Sequence, residues 1–184
     1  MDGGEAMQRV AVVGVTGSGK TTLAAETARR LGVPHVELDA LSWGPNWTPE
    51  PREVVRARAA AALAGDDWVT DGNYHYLRDL AWGRADTLVW LDYGLPLILW
   101  RLTLRNLRRI VGREALWHGN RETWRTQFFS RDSLYVWALQ SYQKLRKRYA
   151  SLSEQPEYQH LRVTRLRTPE DAARWVAHLP TKGQ

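Results

Sequence analysis

Apolar residues along this chain recur at two spacings. Short apolar runs stand at Arg9–Val13, Trp68–Thr70 and Thr87–Leu91, and His35–Leu38 and Leu161–Leu166 also read as short strands, with polar residues between their apolar ones. Runs of that length between turn residues suit strands buried on both faces of a parallel sheet. Between them the apolar positions spread to every third and fourth residue, the helical period. Leu23, Thr27 and Leu31 set a helix over Thr21–Leu31, and Gly32, Val33 and Pro34 turn the chain after it. Prolines at 49 and 51 open an alanine-rich helix over Glu50–Leu63, which Gly65 and Asp66 stop. A long helix spans Pro96–Val111, and Leu134, Trp137, Ser141, Leu145 and Tyr149 mark a further helix with one largely apolar face. Thr168-Pro169-Glu170-Asp171 is a helix-opening signature, and the helix it opens is expected to bury Ala172, Trp175 and Leu179. Trp68, Trp90, Trp100, Trp137 and Trp175 are assigned to the core.

Strands alternating with helices predict an α/β fold, a parallel sheet of about five strands with helices on both faces. One domain spans 1–184, with 1–8 a loose tail and Ala40–Thr48 a loop. Residues 113–129 are rich in Arg, Trp and Gly without a sustained period, so they read as a mobile excursion. Ligands of such sheets gather beyond the carboxyl ends of the strands. That rule selects the segment after the first strand, Asp39 after the second, Asp71 after the third and Asp92 after the fourth.

The segment after the first strand carries the most specific signal. It reads Gly14-Val15-Thr16-Gly17-Ser18-Gly19-Lys20-Thr21, with Thr22 next. Four residues separate Gly14 from Gly19 and a Lys-Thr pair follows, which is the full P-loop pattern between a strand and a helix. Its glycines let backbone N–H groups converge on phosphate oxygens, and the helix N-terminus adds to the same field. Gly14, Thr16, Gly17, Ser18, Gly19, Lys20, Thr21 and Thr22 are therefore assigned to a nucleoside triphosphate, taken as ATP. Lys20 is expected on the β and γ phosphates, and Thr21 on the accompanying Mg²⁺.

Charge sharpens the picture. Of the net +6, residues 101–148 hold twelve Lys or Arg against three acids, a local +9 that leaves −3 for the remainder. Such a concentration means an anionic partner more often than a solubility device. Arg101, Arg105 and Arg108 fall at i, i+4 and i+7; Arg109 and Arg113 continue beside them, and Arg121 and Arg125 follow. Arg109 is assigned to the nucleotide, and Arg113 and Arg121 to the phosphoryl group in transfer, because guanidinium forks match phosphate oxygens. Cysteine is absent, which excludes disulfides and thiolate chemistry. The start of the chain carries Asp2 and Glu5 rather than an apolar run, and no stretch approaches the roughly 20 apolar residues of a membrane span. A cytoplasmic protein is expected. Exposed members of the ten tryptophans leave a homodimer face open.

Asp71, after Trp68-Val69-Thr70, is placed to hold Mg²⁺ opposite Thr21. Asp39 is placed to orient an acceptor hydroxyl and take its proton; an acceptor that is already a phosphate needs no base. Trp43 and Trp47, with Pro45 between them, either stack on a flat acceptor or pack against the fold. Asn73, Tyr74 and Arg78 form a second candidate wall, while His75 reads as structural.

These features together resemble the P-loop small-molecule kinases of the adenylate-kinase-like group, and most nearly its bacterial DNA-topology-modulation (FlaR-like) proteins. The resemblance rests on Gly14–Thr21, on Leu38-Asp39 with Trp43 and Trp47 after it, on Thr70-Asp71-Gly72-Asn73-Tyr74, and on the arginine-rich Arg113–Glu122. It implies a five-stranded parallel sheet, an acceptor-binding region over 40–80 and a lid over 112–130. An aspartate after the second strand departs from adenylate kinase and resembles the hydroxyl-phosphorylating shikimate and gluconate kinases. The reading is a Mg²⁺-dependent transfer from ATP to a small nucleoside-like or polyol acceptor. A nucleoside monophosphate kinase is the alternative, and an ATP-switched nucleic-acid regulator the more distant one, with nucleic acid the less expected partner. A regulatory GTPase is not expected, since the sequence has no Asn-Lys-x-Asp motif and no aspartate with glycine three residues on.

Overall fold

The computed structural model describes residues 7–112, 116–120 and 134–180. Five parallel strands form one sheet in the order β2-β3-β1-β4-β5. They are β1 (Arg9–Gly14), β2 (His35–Glu37), β3 (Trp68–Asp71), β4 (Thr87–Leu91) and β5 (Arg162–Leu166). The three central strands are buried almost throughout, as their apolar runs require, whereas edge strand β5 exposes most of its residues. β1 pairs with β3 through Val12–Asp71 and with β4 through Gly14–Leu91, so the first strand's end lies between those of its neighbours.

The helices are α1 (Lys20–Leu31), α2 (Leu38–Ser42), α3 (Arg52–Ala62), α4 (Arg78–Ala81), α5 (Leu95–Val111), α6 (Leu134–Ala150) and α7 (Pro169–Ala177). The α7 capping box is complete: Thr168 Oγ1 accepts from the Asp171 N–H while the Asp171 carboxylate accepts from the Thr168 N–H. None of these helices is long and apolar enough to cross a membrane.

Several expectations shift. The second strand ends at Glu37, and Asp39, expected at the strand's end, lies in the first turn of α2, which runs on into the expected loop. That loop also holds a Trp43–Pro49 bridge and a 3₁₀ turn over Pro45–Trp47. On α6 the buried stripe is Ala138, Tyr142, Leu145 and Tyr149, rotated from the expected one, and Trp137 is 44% exposed. Trp100 is 61% exposed, while Trp68 and Trp90 are core as expected. On α7, Val176 and Leu179 are buried, and Ala172 and Trp175 only partly so. Bulk and hydropathy alone assigned Trp100 and Trp137 to the core. The neighbouring Ile98, Leu102 and Ala138 fill the contact instead.

Two apolar clusters result. One spans the sheet and its flanking helices. The other is a small separate group of Leu38, Val55, Ala59 and Leu77, with Leu41, Tyr74 and Tyr76 packed against it. The second cluster anchors α2 and the turn after β3, and so fixes Asp39 and Tyr74 relative to each other.

Candidate active site

The chain leaves β1 at Gly14 and turns through Val15–Gly19 into α1. The Ser18 N–H donates to the Val15 carbonyl at 3.1 Å, closing the turn. Gly17 has φ +80°, and a Cβ there would meet the Ile98 carbonyl oxygen at 3.0 Å and Leu102 Cβ at 3.1 Å. Backbone conformation and the approach of α5 both require glycine. The first amides of α1 have no intrahelical acceptor, so loop and helix end make one anion-seeking concavity.

Lys20 folds back across this concavity, with Nζ 3.3 Å from the Val15 carbonyl. Burial pushes its ammonium below the ordinary lysine range; the charges of Asp39 and Asp71 oppose the shift and Arg105 adds to it. The Thr21 hydroxyl donates to Asp71 Oδ2 at 2.7 Å, and His35 Nε2 lies 2.9 Å from Asp71 Oδ1. Asp71 is 3% exposed. A hydroxyl beside a carboxylate is a set of hard oxygen donors and fits Mg²⁺ completed by phosphate and water oxygens.

Asp39 faces the same space from the first turn of α2, with the Tyr74 hydroxyl donating to its Oδ1 at 2.7 Å. Arg101, Arg105 and Arg109 enter from α5, and Arg101 Nη1 donates to the Ser18 carbonyl at 3.2 Å. This corrects the expected face of Arg101, Arg105 and Arg108. The inward stripe of α5 runs through Ile98, Leu102 and Asn106, which carries Arg109 toward the P-loop and leaves Arg108 exposed.

These groups enclose about 750 Å³. Thr16–Thr22, Asp39 and the three arginines line its polar part; Tyr93, Pro169, Ala172, Ala173 and Val176 line a less polar flank. Such a cavity suits a ligand with an anionic tail and an apolar body.

Other expected site residues lie elsewhere. Asn73 is turned to the β1 end, its Nδ2 donating to the Gly14 carbonyl at 2.6 Å and its Oδ1 accepting from the Tyr149 hydroxyl at 2.9 Å. Arg78 lies over the Trp82 ring, 4.6 Å from its centroid, and does not line the cavity. Trp43 and Trp47 meet edge to face at 6.0 Å, and Trp47 meets Trp117 at 6.4 Å. Asn120 ties this trio down by accepting from the Trp47 N–H at 3.0 Å and donating to the Gly44 carbonyl at 2.9 Å. Asp92 is withdrawn from the cavity and clamped by Arg146 and Arg165. Arg113, Arg121, Arg125 and most of the expected lid lie outside the described residues.

No family model matches the sequence, and no curated protein does. Solved structures do. A shikimate kinase from Bacteroides thetaiotaomicron superposes with a TM-score of 0.56 at 18% identity, over 95% of this chain and 97% of that one. A sugar kinase from a Janibacter species gives 0.51 at 22% identity, over 93% of each. The chain has the P-loop small-molecule kinase fold.

Within that fold, sequence reading missed His35, Tyr93 and the Asn120 clasp. His35 meets Asp71 because β2 lies beside β3, and one sequence carries no sign of which strands adjoin. Asn120 had a faint sign in the Gly-Asn turn, but nothing linked it to Gly44.

Proposed function

We propose that this protein is a Mg²⁺-dependent kinase that moves the γ-phosphoryl group of ATP to a hydroxyl of a small acceptor. One observation carries the reading: the Asp39 carboxylate opens onto the same cavity as Lys20, Thr21 and the arginines of α5. A carboxylate there serves an acceptor hydroxyl as a proton acceptor and would repel an acceptor phosphate.

The P-loop amides and Lys20 would bind the polyphosphate, and Arg101, Arg105 and Arg109 would offset charge on the group in flight. Thr21 and Asp71 would hold Mg²⁺, which when bound neutralises phosphate charge. Asp39 would orient the acceptor O–H and receive its proton as the new O–P bond forms. Arg113 and Arg121, on the expected lid, belong to the same proposal as groups closing on the phosphates. Similarity to proteins named for a sugar and for shikimate supports a small acceptor. Kinship with the adenylate-kinase-like DNA-topology-modulation proteins is kept for the fold and lid, and set aside for the acceptor because of Asp39.

The test is ADP release from Mg–ATP against a panel of sugars, sugar acids, shikimate, nucleosides and nucleoside monophosphates. A hydroxyl acceptor should be selected, and Asp39→Asn should lower kcat by roughly 10²–10⁴, the span of general acid–base catalysis. Near-normal turnover by Asp39→Asn, or selection of a monophosphate alone, would overturn the reading.

A further inference from the structure

We propose that Tyr74 is the positioning residue of Asp39: its hydroxyl holds one carboxylate oxygen and leaves the other to face the acceptor. The inference rests on the kinase reading above, and deepens it by naming what aims the base.

An aspartate carboxylate can rotate, and a general base is effective only when one oxygen points along the O–H it is to receive. Here Asp39 Oδ1 is engaged by Tyr74 Oη at 2.7 Å, which breaks the equivalence of the two oxygens. The hydroxyl itself is held on three sides. Its ring packs on the small cluster of Leu38, Val55, Ala59 and Leu77. Tyr76 meets it edge to face at 5.7 Å. The buried Ser42, whose own hydroxyl donates to the Leu38 carbonyl at 2.7 Å, lies beside the phenol oxygen.

Both partners are thus tied to one apolar cluster: Asp39 follows its member Leu38 on α2, and Tyr74, on the turn after β3, packs against it. Functional geometry is held best when the supporting side chains are themselves locked by packing. Burial, with the Asp39 charge adding to it, pushes the phenol well above the ordinary tyrosine range. Tyr74 therefore stays protonated and remains a donor through the pH range in which Asp39 would act. Tyr74 does not line the cavity, so its effect passes through Asp39 and not through contact with ATP.

The experiment compares Tyr74→Phe, Asp39→Asn and the double variant. Each is assayed for ADP release from Mg–ATP with water as the acceptor, which presents the same O–H to Asp39. The hydroxyl panel above is then applied. Phenylalanine keeps the ring and its packing, and an unchanged unfolding midpoint confirms that. Expected is a fall in kcat of roughly tenfold in Tyr74→Phe, the worth of one hydrogen bond, with KM for ATP within about twofold. The double variant should be no slower than Asp39→Asn, because two residues acting through one step are not additive.

A wild-type kcat in Tyr74→Phe overturns the proposal. So does a double variant slower than Asp39→Asn by the full Tyr74→Phe factor, since independent effects multiply. A rise in KM for ATP with kcat unchanged also overturns it, because that marks a binding role. If Asp39→Asn itself turns over normally, the kinase reading of Asp39 falls first, so the two failures are told apart by that single variant.

Discussion

Replacing Asp92 with Asn asks whether a strand-end carboxylate belongs to the site or to the frame. Its side chain is 1% exposed, whereas those of Arg146 and Arg165 are 38% and 36% exposed. Arg146 Nε lies 2.7 Å from Oδ1, and Arg165 places Nε at 2.9 Å and Nη2 at 2.5 Å from Oδ2. Asparagine keeps the shape and removes the charge, so two guanidinium groups then face a neutral amide that offers one acceptor oxygen. Breaking a buried pair from one side costs about 3–5 kcal/mol. The arginines are more than a third exposed and can rehydrate, which lowers the expectation to about 2–3 kcal/mol. For a chain of this size each kcal/mol moves the melting temperature by about 2–4 °C, so the midpoint should fall by roughly 5–10 °C. Thermal scans by circular dichroism read this directly, with a urea titration to check that the m-value is constant. ATP affinity, measured well below the midpoint, should stay within about twofold of wild type. An unshifted midpoint would show that the clamp adds no stability. A tenfold loss of ATP affinity with the midpoint intact would put Asp92 back in the site and refute the reasoning.

Two further outcomes follow from the same structure. Lys20→Met should abolish stabilisation by Mg–ATP in thermal scans, yet raise the stability of the nucleotide-free protein by on the order of 1 kcal/mol, the usual sign of a strained functional group. The sign follows from the lowered Lys20 pKa: the charged amine is less stable in the fold than in the unfolded chain. The advantage of the methionine variant should therefore shrink as pH rises through the lowered pKa toward the ordinary lysine range. A variant that is less stable yet still responds to ATP would contradict this. Asn120→Ala removes the bonds to the Gly44 carbonyl and the Trp47 N–H; it should cost about 1–3 kcal/mol and shift tryptophan emission to the red as the Trp47–Trp117 contact loosens. Emission and stability both unchanged would remove the clasp.

Much of the frame was legible because it depends on local spacing. β1, β3 and β4 are buried on both faces, and their apolar runs have the short length, bounded by turn residues, that buried strands have. The Thr168–Asp171 cap and the P-loop are short motifs whose partners lie within a few residues, and both appear where the spacing put them. The errors arose where the deciding contact is distant in sequence. The sequence puts Leu38 in the second strand and starts a loop at Ala40, because Gly44 and Pro45 follow; Leu38–Ser42 is helical instead, with Leu38 packed on Val55, Ala59 and Leu77 from later in the chain. Trp100 has core hydropathy, but α5 presents Ile98 and Leu102 to the sheet and leaves the indole outside.

The three strand-end aspartates show the same limit within the site. In the sequence Asp39, Asp71 and Asp92 each stand at the end of a strand-like segment, and nothing in their immediate neighbours tells their roles apart. What separates them is the charge each meets across the fold. Asp92 lies beside β5, which supplies Arg165, and under α6, which supplies Arg146, so its charge is consumed by structure. Asp71 ends the strand between β2 and β1, and its two oxygens meet His35 and the Thr21 hydroxyl at the start of α1; Asp71 and Thr21 are the pair proposed to hold the metal. Among the described residues, Asp39 accepts from a neutral phenol donor, and Lys20, which feels its charge, lines the cavity. Its carboxylate is therefore not taken up by an ion pair with the frame, as that of Asp92 is. That contrast is the ground on which the proposed mechanism gives the base role to Asp39 and not to Asp71 or Asp92.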